Sequence, residues 1–76
     1  MEIQNAVLIG KSNNYLEQGR IVTEIYQVTM NNKKVILIKQ HKFATDTYDL
    51  GADVMVLDMD QVDGIIDMLM SASEVR

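Results

Sequence analysis

Residues 20–43 read RIVTEIYQVTM, NN, KKVILIKQHKF, two runs of strand-forming residues separated by Asn31-Asn32. The first run is dense in β-branched and aromatic side chains, which fit a pleated, half-buried surface. Asparagine tolerates positive φ better than any residue except glycine, so the Asn pair predicts a two-residue hairpin turn joining strands 20–30 and 33–43. In the first arm Ile21 and Ile25 share one face while Tyr26, Val28 and Met30 share the other, a change of parity that predicts a β-bulge near Ile25 and Tyr26. In the second arm Val35-Ile36-Leu37-Ile38 is apolar on both faces, as a central strand requires, and Lys39-Gln40-His41-Lys42 carries the arm out into polar surroundings.

Working outward from the hairpin, Ile3 to Ile9 is aliphatic and ends at Gly10, so it reads as a strand followed by a Lys11-Ser12-Asn13-Asn14 loop. Ala44 to Ala52 has loop composition, and Asp53 to Leu57 is a short strand with Val54, Met55, Val56 and Leu57 in succession. A helix over 59–71 is marked by Asp58 as N-cap with Gln61 three residues on, by a Leu57/Val62 hydrophobic staple, and by Asp60 and Asp63 at the positive end of the dipole. Its apolar stripe is Val62, Ile65, Ile66 and Leu69, with Asp60, Asp63 and Asp67 turned away from it. Met59, Met68 and Met70 widen that stripe beyond what one small sheet covers, so these seven apolar residues are the expected subunit interface. The expected architecture is α+β, a single domain over 1–76 in which an antiparallel sheet of about four strands precedes one C-terminal amphipathic helix (β-β-β-β-α).

A chain of 76 residues buries only about 60% of the surface its unfolded form exposes. Small domains supplement such a core with disulfides, metals or a partner subunit. There is no cysteine and one histidine, so self-association is the expected supplement: a homodimer. The acidic, polar start Met-Glu-Ile-Gln-Asn lacks the basic and apolar regions of a signal peptide, and no apolar run reaches membrane-spanning length. A cytoplasmic location, in the cell of origin or in a host cell, is therefore expected. Charge is unevenly divided: residues 1–43 hold six lysines and arginines against three glutamates, and residues 44–76 hold one arginine against eight acids.

Most chemical signatures fail on spacing. Gly10-Lys11-Ser12 would need its earlier glycine at Asn5 to make a phosphate-binding loop. Asp58, Asp60, Asp63 and Asp67 lack the spacing and glycine of a calcium loop, so they read as capping residues and a solvated face. His41 has no acid–base partner visible in sequence, and Ser12, Ser71 and Ser73 have no nucleophile context. No enzyme, metal or cofactor is expected. The basic hairpin is what remains: Lys33, Lys39, His41 and Phe43 share one parity, Lys34 and Lys42 the other, and Arg20 and Tyr26 lie on the preceding strand. Cations that neutralise phosphates beside rings that stack on bases are what single-stranded nucleic acid binds.

Two segments carry a family resemblance. Val56-Leu57-Asp58-Met59-Asp60-Gln61-Val62 resembles the strand-to-helix junction (apolar, Leu, Thr, Pro, Glu, Gln, Trp) of the positive-cofactor-four family of transcriptional coactivators, also called p15, with Asp58 in place of the capping threonine. Ile36-Leu37-Ile38-Lys39-Gln40-His41 resembles that family's Ile-Asp-Ile-Arg-Glu-aromatic strand, with Leu37 in place of the acid and His41 in place of the aromatic. The resemblance covers about residues 19–72 and departs from the pattern at Val62, where the family has tryptophan, and in having no proline. It implies a homodimer joined through its helices, with curved sheets offering basic, aromatic ridges to single-stranded DNA, and it places Lys39 at a backbone-contact position.

The leading expectation is thus a non-enzymatic module that binds single-stranded nucleic acid, in the setting of transcription regulation, through Arg20, Tyr26, Lys33, Lys34, Lys39, His41, Lys42 and Phe43. The rival is an acidic protein-interaction or inhibitor module that acts on a partner protein through its C-terminal helix. A third class is a sensor holding a small ligand at a dimer seam.

Overall fold

The computed structural model describes residues 3–44 and 48–74, with side chains from residue 5 onward. Four strands, β1 (Ile3–Leu16), β2 (Gly19–Met30), β3 (Lys33–Phe43) and β4 (Asp49–Asp58), form one antiparallel meander in the order β1-β2-β3-β4, followed by helix α1 (Met59–Glu74). The fold is α+β, as the hairpin and the helix signals predict. Asn31 and Asn32 both take positive φ, 52° and 61°, the pair of left-handed residues that a tight hairpin of matching twist requires. At the helix start Gln61 Oε1 accepts the N–H of Asp58 at 3.3 Å, the return half of a capping box.

Three expectations need correction. β1 continues through Gly10-Lys11-Ser12-Asn13-Asn14 to Leu16, where the composition predicts a loop, because each of these residues pairs with β2 from Ile25 down to Ile21. The bulge expected in β2 lies in β1 instead: β2 and β3 pair without a register shift, while β1 slips between Gln4 and Val7 and between Leu8 and Gly10, the second slip opposite Tyr26 and Ile25. The parity change in β2 has a simpler cause: Val28 and Met30 are buried on one face, while Ile25 lines the groove with α1 residues on the other. β4 also begins at Asp49, not Asp53; of the predicted 44–52 loop, residues 45–47 lie outside the described residues.

Directly paired residues in an antiparallel sheet point to the same side. One side carries Ile25, Ile36, Ile38 and Leu57 beneath α1 and is called here the helix face. The other, the open face, carries Arg20, Val22, Glu24, Tyr26, Val28 and Met30 of β2. The best-buried cluster, Val28, Met30 and Val35 with Tyr26 and Leu37 packed on it, lies on the open face near the Asn31-Asn32 turn. No described residue of α1 is buried, and Ile66, Met68, Leu69 and Met70 are exposed. Among the described residues no helix is long and apolar enough to cross a membrane.

Candidate functional site

At the end of the open face away from the hairpin turn, β2 and β3 bring Arg20 opposite Phe43, Val22 opposite His41 and Glu24 opposite Lys39. The rings of His41 and Phe43, two residues apart on one strand face, lie parallel with centroids 4.5 Å apart and planes 6° from coincidence. The Arg20 guanidinium sits over the Phe43 ring, its Cζ 4.7 Å from the centroid, in cation–π geometry. Among the described residues Arg20 Nε is buried without a hydrogen-bond partner.

Two backbone features hold this end of the sheet in place. Gly19 has φ +111°, and a Cβ there would collide with the carbonyl of Phe43, so only glycine lets β2 begin so close to the end of β3. Across β3, the pairing slips between Lys42 and Phe43, with Gly51 at φ +97° on the β4 side. That slip directs Asp49 toward His41, a common use of a bulge beside a functional surface. Asp49 Oδ1 accepts from His41 Nε2 at 2.5 Å and from the backbone N–H of Gly51 at 2.6 Å. The Gly51 N–H, and after it the His41 hydrogen bond, hold the Asp49 carboxyl below its usual pKa.

β1 completes the surface. Lys11 pairs with Glu24, Asn13 with Val22 and Tyr15 with Arg20, so all three stand on the open face. Lys11 and Asn13 from β1 close a recess of about 190 Å³ against Arg20, Glu24, His41 and Phe43, with Val22 also lining it. The burial of Tyr26 and the Glu24 carboxylate beside it, which accepts from the phenol, raise the Tyr26 pKa.

Of the eight residues expected in a nucleic-acid site, Arg20, Lys39, His41 and Phe43 gather here, Tyr26 lies next to Glu24, and Lys33 stands at the far end of the same face in an ion pair with Asp58 at 3.3 Å. Lys34 and Lys42 point to the helix face, as their parity indicates, and Lys42 pairs with Asp53 at 3.3 Å. The basic hairpin is thus partly neutralised by the acidic residues of β4, which the meander places beside it. Lys11, Asn13, Tyr15 and Glu24 went unidentified as site residues, and for the three on β1 the reason is that Ser12, Asn13 and Asn14 look like a turn until β2 is laid beside them. Among the described residues no group of three or more His, Cys, Asp or Glu is placed to hold a metal ion.

The expected interface residues Val62, Ile65, Ile66 and Leu69 line an apolar groove of about 240 Å³ between α1 and the helix face. Val62 and Ile65 are half-buried there, whereas Met59, Met68 and Met70 are exposed to solvent. Comparison with protein-family models, with curated proteins and with solved structures returns no match to the chain.

Proposed function

We propose that this chain is a non-enzymatic, homodimeric module that binds single-stranded nucleic acid through its open face, acting in the cytoplasm of its own or a host cell. The observation that carries the reading is the stack of Arg20 on Phe43 beside His41, with Lys11 and Lys39 on the same face. Planar groups for bases stand next to cations for phosphates, the combination that single strands bind. The charge of the whole chain is −4, and four of its eleven acids, Asp60, Asp63, Asp67 and Glu74, lie on α1, which has no lysine or arginine among its described residues and sits on the side of the sheet away from the site. The resemblance to the positive-cofactor-four family points the same way and suggests transcription as the setting.

The dimer is supported by area. The accessible surface is 6038 Å² for a mass of 8.6 kDa, against about 4,700 Å² for a compact monomer of that mass. The excess, on the order of 1,300 Å², is above the ~800 Å² that each partner contributes to a standard interface. A second copy brings an identical apolar stripe to the half-open groove, and a two-fold axis makes such a patch self-complementary.

Anisotropy of a short labelled oligothymidylate tests the reading. Binding is expected to weaken steeply between about 50 mM and about 200 mM salt, and Lys39→Glu to weaken it roughly tenfold, while Lys42→Glu on the helix face has little effect. Absence of binding at the lowest salt sinks the nucleic-acid reading and turns attention to the acidic helix as a protein-binding surface.

A further inference from the structure

Glu24 is out of place on a surface built only for phosphates. Among the described residues its carboxylate is the one acidic group lining the recess, and it faces the region where a polyanion would run. The simple account is that it balances Lys11 and Lys39, its neighbours across both ladders. Yet among the described residues the ion pairs join Lys33 to Asp58, His41 to Asp49 and Lys42 to Asp53, and none involves Glu24. What Glu24 does engage is the Tyr26 phenol, two residues along the same strand face. An ionised carboxylate has two oxygens and about four acceptor sites, so one phenol leaves most of that capacity directed at the recess.

We propose that the recess takes one nucleobase of a bound strand and that Glu24 makes it selective for guanine; this rests on the nucleic-acid reading above. A single-stranded base can be turned out of its stack, laid against aromatic or guanidinium planes and read along its Watson–Crick edge. Here the planes are those of Phe43, His41 and Arg20, and the space, about 190 Å³, suits one heteroaromatic base and not a run of nucleotides. Only guanine presents two adjacent donors on that edge, N1–H and the 2-amino group, which match the two oxygens of a carboxylate. Its O6 is an acceptor, and Lys11 and the Asn13 amide stand on the β1 wall of the recess as donors to it. Thymine and uracil set a single N3–H between two carbonyl oxygens, both repelled by Glu24. Adenine and cytosine offer one amino group next to an acceptor nitrogen. The carboxylate that would only repel phosphates therefore becomes a discriminating contact once a base occupies the recess.

Three labelled oligothymidylates of equal length, one unmodified, one with a single central guanosine and one with a single central inosine, test this by anisotropy against the full chain. The guanosine strand is expected to bind about tenfold more tightly than the unmodified one, the scale of a good bidentate base contact. Inosine, which lacks the 2-amino donor, should fall between them. Glu24→Gln should bring the three affinities together while salt-dependent binding persists, and its circular dichroism and melting temperature verify that it folds. Equal affinity of the three strands for the wild-type chain overturns the guanine assignment and leaves the nucleic-acid reading standing. Failure of every strand to bind at low salt overturns both.

Discussion

The open face and the helix face are made from alternate residues of the same strands, yet they solve opposite problems. On the open face, burial and exposure are separated along the strand: Val28, Met30 and Val35 are enclosed near the hairpin turn, while Arg20, His41 and Phe43 form a polar, aromatic surface at the other end. On the helix face the apolar residues are continuous, but the helix that covers them has no buried residue of its own. The first face encloses its own apolar cluster, although Leu8, Val54 and Val56 on the same side stay exposed. The second leaves apolar surface in water, which is unfavourable in proportion to its area. One strand can therefore carry candidate-site residues on one parity, as Arg20, Val22 and Glu24 do in β2, and a residue of the apolar groove, Ile25, on the other.

Perturbing each face separately tests that division. The largest effect is expected from Leu69→Asp, which sets a carboxylate in the groove on the helix face. An unpaired charge in a dry interface costs about 3 kcal/mol or more, so light scattering should report the monomer mass at concentrations where the proposed dimer of the wild type scatters as two chains. A wild-type chain that is itself monomeric breaks the comparison, since the groove on the helix face would then need no second copy. Phe43→Ala acts on the open face alone. Loss of one stacked base is worth about 1–3 kcal/mol, so oligonucleotide affinity should fall roughly tenfold with the scattering mass unchanged. A loss of dimer mass in this variant would mean that the two faces are coupled.

The smallest effect concerns pH. Asp49 is held below its ordinary pKa in the folded chain by the Gly51 N–H and His41. A carboxylate with a depressed folded pKa adds stability that is present above its unfolded value, near 3.8, and is lost as pH falls through the folded one. Urea midpoints should therefore decline on acidification below about pH 4, and Asp49→Asn should flatten that part of the profile. An unchanged profile would detach Asp49 from the support of His41.

Legibility from sequence differs among these features for reasons of range. Asn31-Asn32 and the Asp58/Gln61 cap act within a few residues, through φ and through one hydrogen bond, so both are visible in the chain and both appear where expected. The face assignment of Lys34 and Lys42 is also local, because side-chain parity within one strand is fixed by the pleat. The identity of β1 is not local. Gly10 to Asn14 has turn composition, and only pairing with Ile21–Ile25 makes it a strand. That same pairing brings Lys11 and Asn13 to the recess.

By itself, then, the sequence determined the number and order of the elements, the tight turn and the helix start, though not where β1 ends or β4 begins, because short-range sterics and capping act on neighbours along the chain. The tertiary structure alone decided which residues form the recess, that Asp58 and Asp53 would neutralise Lys33 and Lys42, and that the helix would rest on its sheet without being buried. Those outcomes depend on strand register, and a shift of one residue would exchange the two faces.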